Sequence, residues 1–193
     1  GPMLAALEMS EAAASGVIVE LFGSLSLTGL GHGTDRAIML GLSGYHPATV
    51  PLDLVWELPR VVKETGRLRL AGGSEVRFRP EDDIVRHRHI DPAHPNVHRF
   101  TTSRGTRAFA SIGGGSLATI TDCDLVEPRP PSVHVPHPFR SGEELLRQCD
   151  AHGVSIAEVA RRNESALDPT RDVDRYLAQI TDVMKESIDR GMR

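Results

Sequence analysis

Leu21-Phe22-Gly23-Ser24-Leu25-Ser26-Leu27-Thr28-Gly29-Leu30-Gly31-His32-Gly33-Thr34-Asp35 joins two runs of opposite character. Val17 to Phe22 is apolar and β-branched and reads as a strand. Thr34-Asp35-Arg36, followed by Ala37, Ile38, Leu40 and Gly41, reads as a helix with a hydroxyl cap at its start. The residues between them are therefore expected to form a glycine-rich loop held at both ends. Gly23, Gly29, Gly31 and Gly33 permit positive φ and a close approach to a ligand. N–H groups at a helix start favour an anion, so a carboxylate would fit there. The loop also carries hydroxyls and a single imidazole, His32, the combination a proton-transfer site needs. A glycine-rich turn in which His32 is merely hydrogen-bonded accounts for the same spacing, and no Walker or dinucleotide pattern is present.

Outward from this stretch, Met3 to Ala14 is rich in Ala, Leu, Glu and Met and predicts a helix ending at Ser15-Gly16. Leu52 to Thr65 repeats apolar residues at helical spacing, with Pro59 predicting a kink or a displaced start and Trp56 assigned to the core. Leu68 and Leu70 alternate with Arg67 and Arg69. After Gly72-Gly73, Val76 and Phe78 alternate with Arg77 and Arg79, which predicts a hairpin with one wet face. His98 to Ser103, Thr106 to Ile112 and Ser116 to Ile120 predict three further strands. Strands and helices interleave without a regular βαβ repeat, so the expected class is α+β.

Five prolines between Glu127 and Pro138 predict a stiff linker over residues 127–139, separating a first domain, 1–126, from a helical segment, 140–193. Ser141 with Glu144 and Ser155 with Glu158 fit the capping box, and each opens a helix. A third helix, Arg171 to Arg190, sets Val173, Leu177, Ile180, Met184 and Ile188 on one stripe. Three such helices close on one another or await a partner.

The chain has 193 residues, a formal charge of −4 and two cysteines. It is long enough to bury a core without disulfides. Cys123 and Cys149 lack CxxC spacing and read as free thiols of a cytosolic protein. No run approaches the length of a membrane span, and the charge argues against a nucleic-acid footprint, the basic run from Arg86 to Arg99 reading as a local site. His87, His89, His94 and His98 match no zinc spacing, so no metal site is predicted.

The opening stretch resembles the signature of the β domain of iron–sulfur L-serine dehydratases (L-serine ammonia-lyases), which reads approximately YGSLALTGKGHGTD. Further pieces follow in the family's order: Gly1-Pro2-Met3-Leu4-Ala5-Ala6, His94-Pro95-Asn96, Ser111-Ile112-Gly113-Gly114-Gly115, and Pro136-His137-Pro138-Phe139 ahead of Glu143-Glu144-Leu145-Leu146. The resemblance implies a mixed sheet with helices, similar to the allosteric substrate-binding domain of some phosphoglycerate dehydrogenases, followed by the start of a catalytic α domain. It also implies deamination of L-serine to pyruvate and ammonia, with a [4Fe–4S] cluster held by three cysteines. Two unrelated cysteines cannot hold that cluster, so the resemblance places it on an α domain or α subunit, with this chain alone inactive and the assembly a homo- or hetero-oligomer.

On the same footing, His32 is the expected base for the α proton, and Ser24 positions the carboxylate or the imidazole. Gly23, Thr28, Gly31, Gly33, Thr34 and Asp35 line the substrate, Thr34 and Asp35 as helix cap and hydrogen-bond partner rather than as catalytic groups. His94 and Asn96, spaced by a rigid proline, are expected to grip an amino-acid effector outside the catalytic pocket. An amino-acid-sensing module is the competing reading. The sequence departs from the family in lacking GPSSSHT before Gly1-Pro2-Met3, where Gly1-Pro2 is either native or a protease-tag remnant. It also departs in Phe109-Ala110, where the family has Tyr-Tyr, and in Val97-His98, where it has Gly-Met. These changes leave room for a different β-hydroxy amino acid as substrate.

Overall fold

The computed structural model describes residues 1–127 and 133–193, so the expected linker lies partly outside the described residues. Two compact units are present, Gly1–Arg129 and Pro130–Arg193.

In the first unit, helix α1 (Pro2–Met9) stops earlier than its composition predicts. The Ser10 hydroxyl donates to the Leu7 carbonyl at 2.8 Å, so a side chain competes for the helix ladder, and a single 3₁₀ turn, Ala12–Ser15, completes the approach to strand β1 (Val17–Leu21). The expected loop is corrected next: Gly23–Thr28 is a short helix, α2. Helix α3 (Thr34–Leu42) is capped by Gly33 in the left-handed region with no side-chain bond, so the expected hydroxyl cap is corrected too. Helix α4 (Leu54–Thr65) runs through Pro59.

Strands β2 (Arg67–Arg69) and β3 (Glu75–Arg77) pair in the expected hairpin, as a separate two-stranded sheet. One turn of helix, α5 (Pro80–Asp83), then leads into β4 (Ile84–Arg86), β5 (Val97–Thr102), β6 (Gly105–Gly113), β7 (Ser116–Thr121) and β8 (Asp124–Val126). The main sheet has the order β4-β1-β5-β6-β7-β8, and only β4 runs parallel to β1. The fold is thus α+β with a mixed sheet, as the sequence predicts.

One face of this sheet carries the main core. Val17, Val19, Leu21, Ile84, Phe100 and Phe109 pack with Ala5, Ala6, Met9, Ile38, Met39 and Leu42 from the helices, and the hairpin adds Leu68, Leu70, Val76 and Phe78. Helices α1 and α3 approach closely because Gly41 has no side chain: a Cβ there would lie 2.2 Å from the Met3 carbonyl oxygen. The other face has a smaller apolar cluster of Phe22, Val97, Ala108, Ala110 and Ala118. Trp56, expected in the core, is 69% exposed, with the Arg36 guanidinium 3.9 Å from its ring centroid.

The second unit holds α6 (Gly142–His152), α7 (Ile156–Leu167) and α8 (Val173–Gly191). Ser141 and Ser155 each accept the N–H predicted by the capping boxes, from Glu144 and Glu158. Only Glu144 reaches back, to the Arg140 N–H at 2.6 Å. Glu158 turns instead to Arg161 and Arg162, whose hydrogen bonds hold its carboxyl down to about 2. Asn163 pins the chain before α6 by bonding both the N–H and the carbonyl of His137. On α8 the apolar stripe is exposed at Leu177, Ile180, Met184 and Ile188.

His98 lies fully buried in β5, its Nδ1 donating to the Phe109 carbonyl at 3.0 Å and its Nε2 without a partner among the described residues. Burial pushes its pKa from 6.5 down to about 4, against the opposing pull of that backbone bond. The unfolded chain therefore takes up a proton near pH 6.5 and the folded chain only near pH 4, so stability is lost as pH falls through this window. At about 1.4 kcal/mol per pH unit, the full loss is about 3 kcal/mol. His98→Met, close in size and lacking the titrating group, should show a melting temperature that gains on the parent as pH drops from 7 to 4. Parallel pH dependences of the two proteins would refute this assignment.

Candidate functional site

The site begins where β1 ends. Phe22 is extended, its N–H donating to Val97 O at 3.0 Å, and Gly23 then takes φ 53° and starts α2 at once. The Gly23 N–H donates to His89 O at 3.1 Å and the Ser24 N–H to Pro95 O at 3.2 Å. A Cβ on Gly23 would lie 2.2 Å from Pro95 O. The strand end, the start of α2 and the His94-Pro95-Asn96 turn are thus bonded backbone to backbone, and the two stretches that the sequence separates into loop and effector segment form one continuous face. Carbonyls engage the N–H groups of Gly23, Ser24 and Thr34, the last through Gly29 O at 2.8 Å, so these are not the open anion cradle expected of a loop.

Along α2 and the turn after it, Ser24, Thr28 and His32 recur every fourth residue and share a side. All three are exposed. Thr28 Oγ1 donates to Ser24 O at 2.9 Å, and His32 Nδ1 lies 3.2 Å from the same Oγ1. The His32 N–H donates to Thr28 O at 3.2 Å, so the helical pattern extends past the end of α2. Among the described residues neither Ser24 Oγ nor His32 Nε2 has a hydrogen-bond partner. Leu27 and Leu30 are exposed on the same short segment.

The other expected substrate residues are placed differently from one another. Gly31 has open space around it, with only Thr28 O 3.6 Å from where its Cβ would be. Gly33 has φ 72° and the Arg36 guanidinium packed against it. Thr34 is buried, its hydroxyl lying under Gly29. Asp35 gives both carboxylate oxygens to Arg86, at 2.5 Å each, and this half-buried pair ties the start of α3 to the end of β4. In the turn, His94 Nδ1 accepts the Asn96 N–H at 3.1 Å and Asp91 Oδ1 accepts the Ala93 N–H at 3.0 Å. His94 Nε2 and the Asn96 side-chain amide have no partner among the described residues.

A neighbouring cluster escaped the sequence reading. Phe22 stacks on His87 with centroids 4.5 Å apart, meets His89 edge-on, and carries the Arg99 guanidinium 4.7 Å from its centroid. Glu20 Oε1 lies 2.8 Å from His87 Nε2, and Arg99 bonds Asp91 at 2.8 Å. The basic run from Arg86 to Arg99 is therefore matched by Asp35, Glu20 and Asp91, two of which lie outside it in sequence. The available signal was the alternation in Val17 to Leu21, which sends Glu20 to the face opposite the core.

The thiols fit no cluster site. Cys123 is exposed in the turn between β7 and β8, Cys149 lies in α6, and a [4Fe–4S] cluster needs three or four thiolates. Among the described residues no group of three or more His, Cys, Asp or Glu is placed to hold a metal ion, and no helix is long and apolar enough to cross a membrane.

Fold and site together define an α+β domain that presents hydroxyl and imidazole groups at one end of a mixed sheet. A family model described as "Serine dehydratase beta chain" matches residues 1–122. The chain is 40% identical to L-serine dehydratase 1 of Escherichia coli (strain K12), over 91% of this chain and 40% of that protein. It is 36% identical to L-serine dehydratase of Streptomyces coelicolor, over 96% of this chain and 42% of that protein. The chain belongs to the serine dehydratase beta chain family, and it spans about 40% of the length of the curated relatives it matches.

The geometry at the start of α2 separates two glycines. Gly23→Ala forces both a left-handed alanine and a clash with a backbone carbonyl, and should cost about 2–4 kcal/mol of stability. Gly31→Ala meets only an ordinary contact and should stay within about 1 kcal/mol of the parent. Urea unfolding of both variants checks this, and equal losses would contradict it.

Proposed function

We propose that this chain furnishes the base side of an L-serine dehydratase active site. In this reading His32 Nε2 takes the α proton of a β-hydroxy amino acid, and Ser24 Oγ holds its carboxylate or steadies the imidazole. The observation that carries the reading is the exposed line from Ser24 through Thr28 to His32, with Ser24 Oγ and His32 Nε2 both free to meet a ligand. Gly31 leaves the approach to that line low, while Thr34 and Asp35 hold the segment from beneath. The relatives named L-serine dehydratase support L-serine as the substrate, released as pyruvate and ammonia.

Loss of the β hydroxyl calls for a Lewis acid beside the base. The cysteines of this chain do not fit the family's [4Fe–4S] cluster. We therefore assign the cluster to a catalytic α domain, on a longer chain or on a partner subunit, and place the assembly in the cytoplasm as an oligomer. The exposed stripe of α8 is apolar surface that the remainder of such a domain would cover.

The test is co-expression with the neighbouring open reading frame, or expression of the full-length chain, followed by anaerobic reconstitution and a pyruvate assay. His32→Ala should lower turnover by about 10²–10⁴ with little change in KM. Near-parental turnover would remove His32 from the mechanism. This chain by itself should show no iron–sulfur absorbance after reconstitution, and a stoichiometric cluster on it would contradict the assignment of the thiols.

The free Nε2 of His94 and the amide of Asn96 support an amino-acid effector held at the turn, next to the catalytic line rather than remote from it. His94→Ala and Asn96→Ala should then alter the lag or the sigmoidal dependence on effector while sparing the fully activated rate. A lower melting temperature with an unchanged effector titration would show that these residues only pin the turn.

A further inference from the structure

The reading of His32 as a base leaves open which ring nitrogen is basic, and Thr28 answers that. A threonine hydroxyl has one proton to donate. In α2 that proton goes to the Ser24 carbonyl oxygen, 2.9 Å away, which can only accept. What Thr28 Oγ1 offers to His32 Nδ1 at 3.2 Å is therefore a lone pair, so Nδ1 must carry the proton. The neutral ring is left with its basic lone pair on Nε2, the nitrogen that has no partner among the described residues.

The spacing of four residues makes this a property of the helix rather than of a mobile side chain. Ser24 O receives the hydroxyl of the residue one turn on, and the His32 N–H closes the next turn on Thr28 O at 3.2 Å. Ser24 is itself held by its N–H to Pro95 O. The tautomer of His32 is thereby coupled, through two hydrogen bonds, to the junction between β1, α2 and the 94–96 turn.

We propose that Thr28 is a positioning residue that fixes His32 as the Nδ1–H tautomer and so directs Nε2 toward the substrate, rather than a substrate ligand itself. This rests on the reading of His32 as the base. It predicts that the tautomer is set in this chain before any partner or substrate binds.

The test is the long-range ¹H–¹⁵N spectrum of the histidine rings in this chain, in alkaline solution where the rings are neutral, for the parent, Thr28→Ser and Thr28→Val. The parent and Thr28→Ser should show His32 with a protonated Nδ1 and an unprotonated Nε2. Thr28→Val, which keeps the shape and removes the acceptor, should show a mixture of tautomers with an otherwise unchanged amide spectrum. A parent ring protonated at Nε2, or a Thr28→Val ring still fully in the Nδ1–H form, would overturn the proposal. In the active assembly, Thr28→Val should lower kcat about tenfold at nearly constant KM, with Thr28→Ser restoring it, since a misdirected base costs rate rather than binding. An unchanged kcat in Thr28→Val would overturn the positioning role. Parental turnover in His32→Ala would instead overturn the base reading, which the ring-nitrogen spectrum does not depend on.

Discussion

The Pro95 carbonyl oxygen lies 2.2 Å from where the Cβ of any residue other than glycine would sit at position 23, and the geometry of this end of the sheet follows from that approach. It lets α2 begin directly after β1, with no loop between them. It also sets the Ser24 N–H on Pro95 O, which fixes the first turn of α2 and with it the direction in which Thr28 and His32 project. The Asp35–Arg86 pair makes the complementary tie on the far side, joining α3 to β4. Both ends of the 23–33 segment are therefore tied to the sheet, while Leu27, Thr28, Leu30 and Gly31 between them face solvent.

Much of this was legible in the sequence. The β1 strand, the β2–β3 hairpin, the β5–β7 meander and both serine caps follow from alternation and cap chemistry that tertiary packing left intact. Two of the errors share a cause, which is that a local signal was outweighed by a partner distant in the chain. Four glycines argue for a loop over 23–33, yet Gly23 serves a single backbone approach, and Leu25, packed against the core, holds α2 as a helix. Strand β4 was hidden in a basic run because its partner β1 lies far back in the chain. Strand β8 was hidden because its tight turn uses Asp122 and Cys123 at positive φ, where the usual hairpin signal is Asn-Gly or Asp-Gly. Trp56 read as core because helical spacing cannot tell a buried stripe from a ring covered by one arginine.

For the candidate site, the sequence supplied the residue types but not their relations. His32 and Ser24 stand out as an imidazole and a hydroxyl among glycines. That Thr28 bridges them is visible only once the segment is helical, when a spacing of four becomes adjacency. The family resemblance gave the His94-Pro95-Asn96 turn a role of its own. Its backbone contact with Ser24 is a tertiary fact that no local pattern encodes.

The parallel pairing of β1 with β4 bears on the order in which the chain can assemble. About sixty residues separate Leu21 from Ile84, whereas β5 to β8 are joined by short turns. Closing the long segment carries the larger entropic cost and is the slower event. The meander and the helical layer on α1 therefore offer early nuclei, and the junction that orients His32 forms only after β4 and the turn behind it have docked. In a chain refolding from the fully unfolded state the meander would form before the site, so this end of the sheet acquires its shape as one of the last steps of folding.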